Sequence, residues 1–252
     1  MKDYLYDGSF EGALTGIYQM FHDRVKSGEA RLVSTSTYQR DCFTTVTDVE
    51  TDSLKAEKVT RWLLEAFGEI GFRRAAYAYL SEDEMYGTFL FGFLKKMNHL
   101  GEKGLDFFAD PDINRIYKLY NRVCRESHLL LGLIRFVELD SGILYATFEP
   151  TANILTLLTG HFKERLSNQI WVIHDTKRKM AAFYDGRAVY IRPLDQLQDL
   201  RLSSSERAYQ DMWKTYFKRI AIEKRNNPRQ QMHMMPKKYW KFLIENPQEK
   251  PK

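Results

Sequence analysis

Cysteine is scarce in this sequence of 252 residues, and long apolar runs are absent. Cys42 and Cys124 are the two cysteines, too few for a disulfide framework, a cysteine zinc knuckle or a cysteine-ligated iron–sulfur cluster within the chain. No stretch approaches the roughly 18 consecutive apolar residues that a membrane-spanning helix needs. The opening Met1-Lys2-Asp3-Tyr4 lacks the apolar core of a secretory signal. We therefore expect a cytoplasmic protein with no membrane partner.

A net positive charge is lacking over most of the chain and is concentrated at its end. The overall net charge is +5. Residues 201–252 hold 13 Lys and Arg against 5 Asp and Glu, a net of +8, whereas residues 1–200 hold 25 against 28, a net of −3. Such asymmetry is typical of contact with nucleic acid, although a solvated basic face produces the same pattern.

Hydrophobic periodicity predicts six helical regions and a group of short strands. Apolar residues at spacings of three and four mark helices, alternating β-branched residues mark strands, and Asp140-Ser141-Gly142 marks a hairpin turn. The predicted helices span 10–25, 59–80, 85–100, a region beginning at Asp110-Pro111, 152–166 and 203–224. The predicted strands span 42–49, 135–139, 143–149, 169–174, 180–184 and 188–191.

This order of elements predicts an α+β fold. The first half is largely helical, a small and mostly antiparallel sheet with one inserted helix follows, and a basic helix and tail close the chain. We expect one α+β core over residues 1–200. Residues 201–252 are expected to form a basic helix and an extension that packs on that core.

The C-terminal helix has two distinct faces. Tyr209, Trp213, Tyr216, Phe217 and Ile220 fall on one arc, which predicts packing against the core. The opposite side carries cations that continue past the helix and could bind phosphates, with Tyr239 available to stack on a base. The predicted nucleic-acid-binding residues are Arg135, Arg165, Arg207, Lys214, Lys218, Arg225, Arg229, Lys237, Lys238 and Tyr239.

Several motifs together resemble a bacterial family of uncharacterised proteins assigned to DNA metabolism. The segment Arg225 to Trp240 reads Arg-x-Asn-Pro-Arg-x-Gln-x-x-x-Met-Pro-Lys-Lys-Tyr-Trp, and the segment Tyr6 to Gly12 resembles the N-terminal signature of that family. Further matches are Glu126-x-His128 before Arg135-Phe136, and His161-Phe162-x-x-Arg165 before Trp171 and Asp175. Members are typically encoded beside a radical S-adenosylmethionine protein, and related domains are fused to uracil-DNA-glycosylase-like proteins. The resemblance implies DNA repair or modification, with DNA and that radical enzyme as partners, but implies no catalytic residues.

Four polar residues form a candidate acid–base set: Glu126, His128, His161 and Asp175. In that interpretation Arg135 and Arg165 would bind a phosphate. The alternative is a buried network of ion pairs and hydrogen bonds that fixes helix against sheet. Two histidines with carboxylates are compatible with a divalent metal, but their spacing matches no HExxH, P-loop or deaminase motif, so we expect neither a metal nor a cofactor.

Three functional hypotheses follow. The first is a DNA-binding factor that grips nucleic acid through the basic C-terminal segment and works with a partner enzyme. The second is a nucleic-acid-processing enzyme, glycosylase- or nuclease-like, that uses the His/Glu/Arg set. The third is a protein–protein adaptor whose basic tail docks on an acidic partner.

Overall fold

The computed structural model describes residues 1–40, 43–195, 200–222 and 227–245. The chain divides into two compact units, Met1–Cys124 and Arg125–Lys252. We call them the N-terminal unit and the C-terminal unit. The α+β class is confirmed, because helices predominate and the strands form one three-stranded and one five-stranded sheet. The division into a core over 1–200 and an extension over 201–252 stays a prediction.

A parallel three-stranded sheet lies in the N-terminal unit. Its strands are β1 (Lys2–Tyr6), β2 (Ala30–Ser34) and β3 (Thr45–Asp48), in the order β2-β1-β3. The sequence predicted β3, although the predicted residue Cys42 lies outside the described chain. It did not predict β1 and β2.

Four α-helices lie between or after these strands along the chain. They are α1 (Phe10–His22), α2 (Ser53–Tyr79), α3 (Tyr86–Leu100) and α4 (Pro111–Leu133), with a 3-10 helix over Glu102–Asp106. The sequence predicted α1 and α3 within a few residues and the start of α4, whereas α2 begins six residues before the predicted Val59 and the 3-10 helix was not predicted. Ser9 caps α1 by accepting the Gly12 N–H, and Asp110 caps α4 by accepting the N–H groups of Asp112 and Ile113.

A kink at Gly68 interrupts α2. Its backbone has φ +62° and ψ −173°, a combination that is open to glycine and strained for other residues. The helix therefore consists of two segments; the apolar stripe in the sequence ran to Ile70 and resumed at Tyr77, and it did not predict a break at Gly68.

The C-terminal unit contains a five-stranded mixed sheet. The strands are β4 (Val137–Glu138), β5 (Leu144–Phe148), β6 (Trp171–Asp175), β7 (Met180–Tyr184) and β8 (Val189–Pro193), in chain order across the sheet. The pair β5–β6 is parallel and the other three pairs are antiparallel. Helix α5 (Leu155–Arg165) is the crossover between the parallel strands, and it packs Phe162 against Trp171. This confirms the predicted antiparallel-rich sheet with one inserted helix.

The C-terminal segment comprises α6 (Ser204–Ile220), α7 (Pro228–Met234) and a 3-10 helix over Lys237–Phe242. Ser203 caps α6 by accepting the Glu206 N–H, and the buried Glu206 carboxylate accepts the N–H of Glu138 at the edge of the sheet. The prediction that the aromatic stripe of α6 packs in the core is wrong. Tyr209, Tyr216 and Ile220 are each more than half exposed and Trp213 is 40% exposed, whereas Phe217 is half-buried.

Candidate functional site

The 3-10 helix at the end of the chain is tied down by buried side chains. Tyr239, Trp240 and Leu243 are buried, and the Trp240 indole N–H donates to the Met235 carbonyl at 2.7 Å. Pro236, which has no N–H, precedes the turn and ends the preceding helix. The apolar side chains thus point inward, and the lysines between and beside them remain at the surface.

Glu126, on α4, is the polar anchor of this segment. One carboxylate oxygen accepts the Thr151 N–H at 2.9 Å and the Lys238 ammonium at 2.7 Å, and it also accepts the Tyr239 hydroxyl. The other oxygen accepts the Ala152 N–H at 2.8 Å. Four donors therefore converge on a carboxylate in a residue that is only 8% exposed.

These contacts fix the charge state of the pair. Burial alone would raise the pKa of Glu126, but the hydrogen bonds from Lys238, Tyr239 and the two backbone amides outweigh it and hold that pKa at about 2. Burial, reinforced by the neighbouring carboxylate, raises the pKa of Tyr239. At neutral pH Glu126 is a permanent anion and Tyr239 a permanent donor, which is suited to anchoring a segment and not to exchanging protons.

A cleft of about 520 Å³ opens beside this anchor. We call it the lysine cleft, after four lysines that line it: Lys177, Lys237, Lys238 and Lys241. The remaining lining comes from Trp240 and from the loop of Glu149, Pro150 and Thr151 between β5 and α5. Three separate parts of the chain therefore meet here: that loop, the turn between β6 and β7, and the C-terminal 3-10 helix.

The cleft is electropositive despite two ion pairs. Lys241 pairs with Glu149, and Lys238 pairs with Glu126 behind the wall. With both paired carboxylates counted, four lysines stand against two glutamates, a net charge of +2. The Lys237 ammonium lies 5.9 Å from the centre of the Trp240 ring. Lysine ammoniums and a threonine hydroxyl are suited to holding phosphate oxygens.

Asp175 organises the turn that delivers Lys177. It is fully buried, accepts the N–H groups of Lys177 and Arg178, and pairs with the Arg178 guanidinium at 2.8 Å. Arg178 also donates to the Thr151 carbonyl at 2.8 Å. Asp175 is thus connected to Glu126 through the Thr151 loop, as part of a structural network.

The predicted acid–base set does not converge around one point. His128 is exposed on α4, and His161 packs its ring edge against Phe162 on α5. In the chain as described, neither histidine hydrogen-bonds to Glu126 or Asp175. The catalytic role of the set stays a prediction, and the geometry resembles the alternative, a network that fixes helix against sheet.

The predicted phosphate contacts are dispersed. Arg135 pairs with the buried Glu245 at 2.7 Å, whereas Arg165 is exposed in the last turn of α5. Arg207, Lys218 and Arg229 are exposed, Lys214 is half-buried, and Arg225 lies outside the described residues. Lys237 and Lys238 enter the cleft. Base stacking by Tyr239 does not fit the structure, since that ring is only 2% exposed.

Two cleft lysines escaped the sequence analysis. Lys241 directly follows the Lys-Lys-Tyr-Trp motif, and Lys177 lies in the basic turn Thr176-Lys177-Arg178-Lys179 after a strand. The basic turn that directly follows Asp175 was the feature of the sequence that could have identified Lys177. The sequence does not show that this turn meets the C-terminal 3-10 helix, because their contact depends on the packing of residues some 60 positions apart.

Among the described residues, no three His, Cys, Asp or Glu side chains come together as a metal site would require. None of the helices traced there is both long enough and apolar enough to cross a membrane.

The fold and the cleft define an α+β protein with a basic C-terminal site. The chain belongs to the DUF4130 family, a domain of unknown function, whose model matches residues 84–245. The matched region contains the whole lysine cleft and its Glu126 anchor, whereas β1, β2, β3, α1 and α2 precede it. A comparison with curated proteins finds no match.

Proposed function

We propose that this protein is a bacterial cytoplasmic DNA-metabolism factor that binds nucleic acid through the lysine cleft and presents it to a partner enzyme. The observation that carries the proposal is the gathering of four lysines, one threonine hydroxyl and one tryptophan around a single cleft. The resemblance to DNA-metabolism proteins favours nucleic acid as the polyanion and a radical S-adenosylmethionine protein as the partner.

Charge and construction both support phosphate binding. The ammoniums are held by different elements, so the positive potential does not depend on one flexible side chain. Contacts of this kind give affinity that is insensitive to sequence and falls with salt, since bound phosphates release counterions. The cleft volume of about 520 Å³ lies within the range of ligand-binding pockets.

Two cleft lysines can be changed without dismantling the anchor. In Lys237→Gln/Lys241→Gln the Glu126 contacts with Lys238 and Tyr239 remain, so the segment should stay folded. We expect the affinity for a labelled 20-nucleotide DNA, measured by fluorescence anisotropy, to fall about tenfold or more, on the order of 1 kcal/mol per lost phosphate contact.

The matched control is Lys118→Gln/Lys163→Gln, which removes the same charge from exposed positions on α4 and α5. It should change the affinity less than twofold to threefold. Equal losses in both double variants would show that net charge alone drives binding, and would overturn the role of the cleft. Unchanged DNA affinity of the cleft variant would also overturn the role of the cleft.

A further inference from the structure

Two of the four lysines in the lysine cleft converge on one residue. The Lys177 ammonium donates to the Thr151 carbonyl at 3.0 Å, and the Lys238 ammonium donates to the Thr151 hydroxyl. Lys238 is also held by Glu126 at 2.7 Å, and the backbone N–H of Lys177 donates to the buried Asp175. The two ammoniums therefore lie close together, in positions that separate parts of the chain fix.

The charge of the cleft matches a dianion. Four lysines and the two carboxylates paired with them give a net charge of +2. Glu149, the carboxylate in the lining, is paired with Lys241. A phosphodiester carries a single negative charge, whereas a phosphomonoester carries about −1.5 to −2 at neutral pH and offers three acceptor oxygens. A phosphomonoester is therefore the better match, both in charge and in the number of ammoniums that it can accept from.

The extent of the cleft favours the end of a nucleic-acid strand. Its volume of about 520 Å³ is that of a pocket for one small molecule, comparable to a single nucleotide, and Pro150 and Trp240 supply apolar wall beside the lysines. A strand that continued through the cleft would carry a phosphate about every 3.4 Å and would gain most from a long row of cations. Arg165, Arg207 and Arg229 do not line the cleft, so the site is compact.

We infer that the lysine cleft receives the terminal phosphomonoester of a nucleic-acid strand, with the Lys177 and Lys238 ammoniums on its oxygens and the terminal nucleotide beside Trp240. The inference rests on the proposed function and deepens it, because it assigns phosphorylated strand ends as the preferred substrate. Hydrolysis of a phosphodiester bond leaves one phosphomonoester end and one hydroxyl end, so strand cleavage would supply this ligand. A free nucleotide carries the same group, and the experiment separates the two sources.

The test removes one of the two converging ammoniums. In Lys177→Gln the Thr151 carbonyl keeps the Arg178 guanidinium as a donor at 2.8 Å, so the loop should stay in place and circular dichroism should match wild type. Lys179→Gln is the matched control, since Lys179 is an exposed lysine of the same turn that does not line the cleft.

The ligands vary the end group at constant charge. Unlabelled competitors displace an internally labelled oligo(dT) from the full chain, followed by anisotropy. They are oligo(dT) of about ten nucleotides with a 5′-phosphate, with a 3′-phosphate or with hydroxyl ends, and thymidine 5′-monophosphate as the free nucleotide. A hydroxyl-ended oligo(dT) that is two nucleotides longer carries the same total charge as the phosphorylated forms and is the charge-matched competitor.

We expect wild type to bind at least one phosphorylated oligonucleotide about tenfold or more tightly than the charge-matched one. The preference should fall below about threefold in Lys177→Gln and persist in Lys179→Gln. A full preference in Lys177→Gln would overturn the assigned contact.

The remaining outcomes separate this inference from the proposed function. Equal binding of phosphorylated and charge-matched oligonucleotides, with both weakened in Lys237→Gln/Lys241→Gln, would overturn the inference and leave the proposed function intact. Displacement by thymidine 5′-monophosphate as effective as by the phosphorylated oligonucleotide would assign the cleft to free nucleotides and also overturn the inference. If the labelled oligo(dT) did not bind at all, the proposed function would fail as well.

Discussion

A single carboxylate anchors the 3-10 helix at the end of the chain. Glu126 joins α4, the loop that contains Thr151 and the 3-10 helix that contains Lys238 and Tyr239. An ionised acceptor with four donors makes stronger hydrogen bonds than a neutral one. Removal of the charge would leave buried donors poorly matched, and that imbalance costs more than the bonds themselves contribute.

The first prediction concerns acid stability. The pKa of Glu126 is lowered in the folded chain from an ordinary 4.5 to about 2. The unfolded state therefore takes up this proton first as pH falls, so the contribution is complete above about pH 5 and is lost progressively toward pH 2. We expect Glu126→Gln to be less stable than wild type at pH 7 by about 2–3 kcal/mol, and the difference to shrink as the pH is lowered. Urea unfolding between pH 3 and pH 7 measures it, and a difference independent of pH would contradict the assigned charge state.

The second prediction isolates the Tyr239 hydroxyl. Tyr239→Phe keeps the buried ring and deletes one donor to Glu126, so we expect a loss of about 1–3 kcal/mol in the free energy of unfolding. Combined with Glu126→Gln, the two losses should fall short of their sum, because both changes break the same bond. Tyr209→Phe, at an exposed position, is the control and should be neutral. Strict additivity would mean that the hydroxyl and the carboxylate do not interact.

At the scale of elements, two glycines in helices have opposite roles. Gly68 adopts a left-handed φ of +62° at the kink in α2, whereas Gly160 lies within α5 and an added Cβ there meets nothing within 4 Å. We expect Gly68→Ala to cost about 1–3 kcal/mol through backbone strain. Gly160→Ala should instead stabilise by about 0.5–1 kcal/mol, since alanine favours a helix. Thermal unfolding of the two variants checks the signs, and a neutral Gly68→Ala would show that α2 can straighten.

The helices of this fold could be predicted from sequence, but the first two strands could not. β1 and β2 each contain a charged residue, Asp3 and Arg31, that does not fit the pattern of a buried strand. The structure shows the reason. The two residues are register partners on adjacent parallel strands, and the Arg31 guanidinium pairs with the fully buried Asp3 carboxylate at 2.6 Å. The ion pair with Arg31, about 28 positions away, offsets the cost of burying the Asp3 carboxylate. The sequence of one strand does not show which residue of another strand will be its partner.

The face of α6 shows a second limit of pattern reading. Its apolar stripe was correctly located in the sequence, but amphipathic periodicity does not tell whether an apolar face meets the core or a ligand. Glu206 lies seven residues before Trp213 and so on the same side of the helix, and its buried carboxylate accepts the Glu138 N–H and holds the first turn at the sheet. Further along the helix Tyr209, Tyr216 and Ile220 are more than half exposed, so most of the stripe that was predicted to be core lies at the surface.

At the scale of the molecule, the sequence predicted which part of the chain carries the basic charge, but not which lysines come together in the folded protein. Lys237 and Lys238 were expected to bind phosphate and do line the cleft, whereas Lys177 comes from the turn between β6 and β7. Such convergence follows from tertiary packing alone. The structure also divides the residues that were predicted together as phosphate contacts. Tyr239 and Arg135 make internal anchoring contacts, whereas the cleft lysines face outward.

The central claim is that the lysine cleft binds nucleic-acid phosphates, and the salt dependence of binding tests it most directly. Anisotropy of a labelled duplex is titrated with the full chain from about 20 to 300 mM salt, for wild type and for Lys237→Gln/Lys241→Gln. The logarithm of affinity should fall linearly with the logarithm of salt concentration, and the slope should be smaller by about two in the variant, one for each lost phosphate contact. Absence of binding at the lowest salt, or an identical slope for both proteins, would contradict the claim.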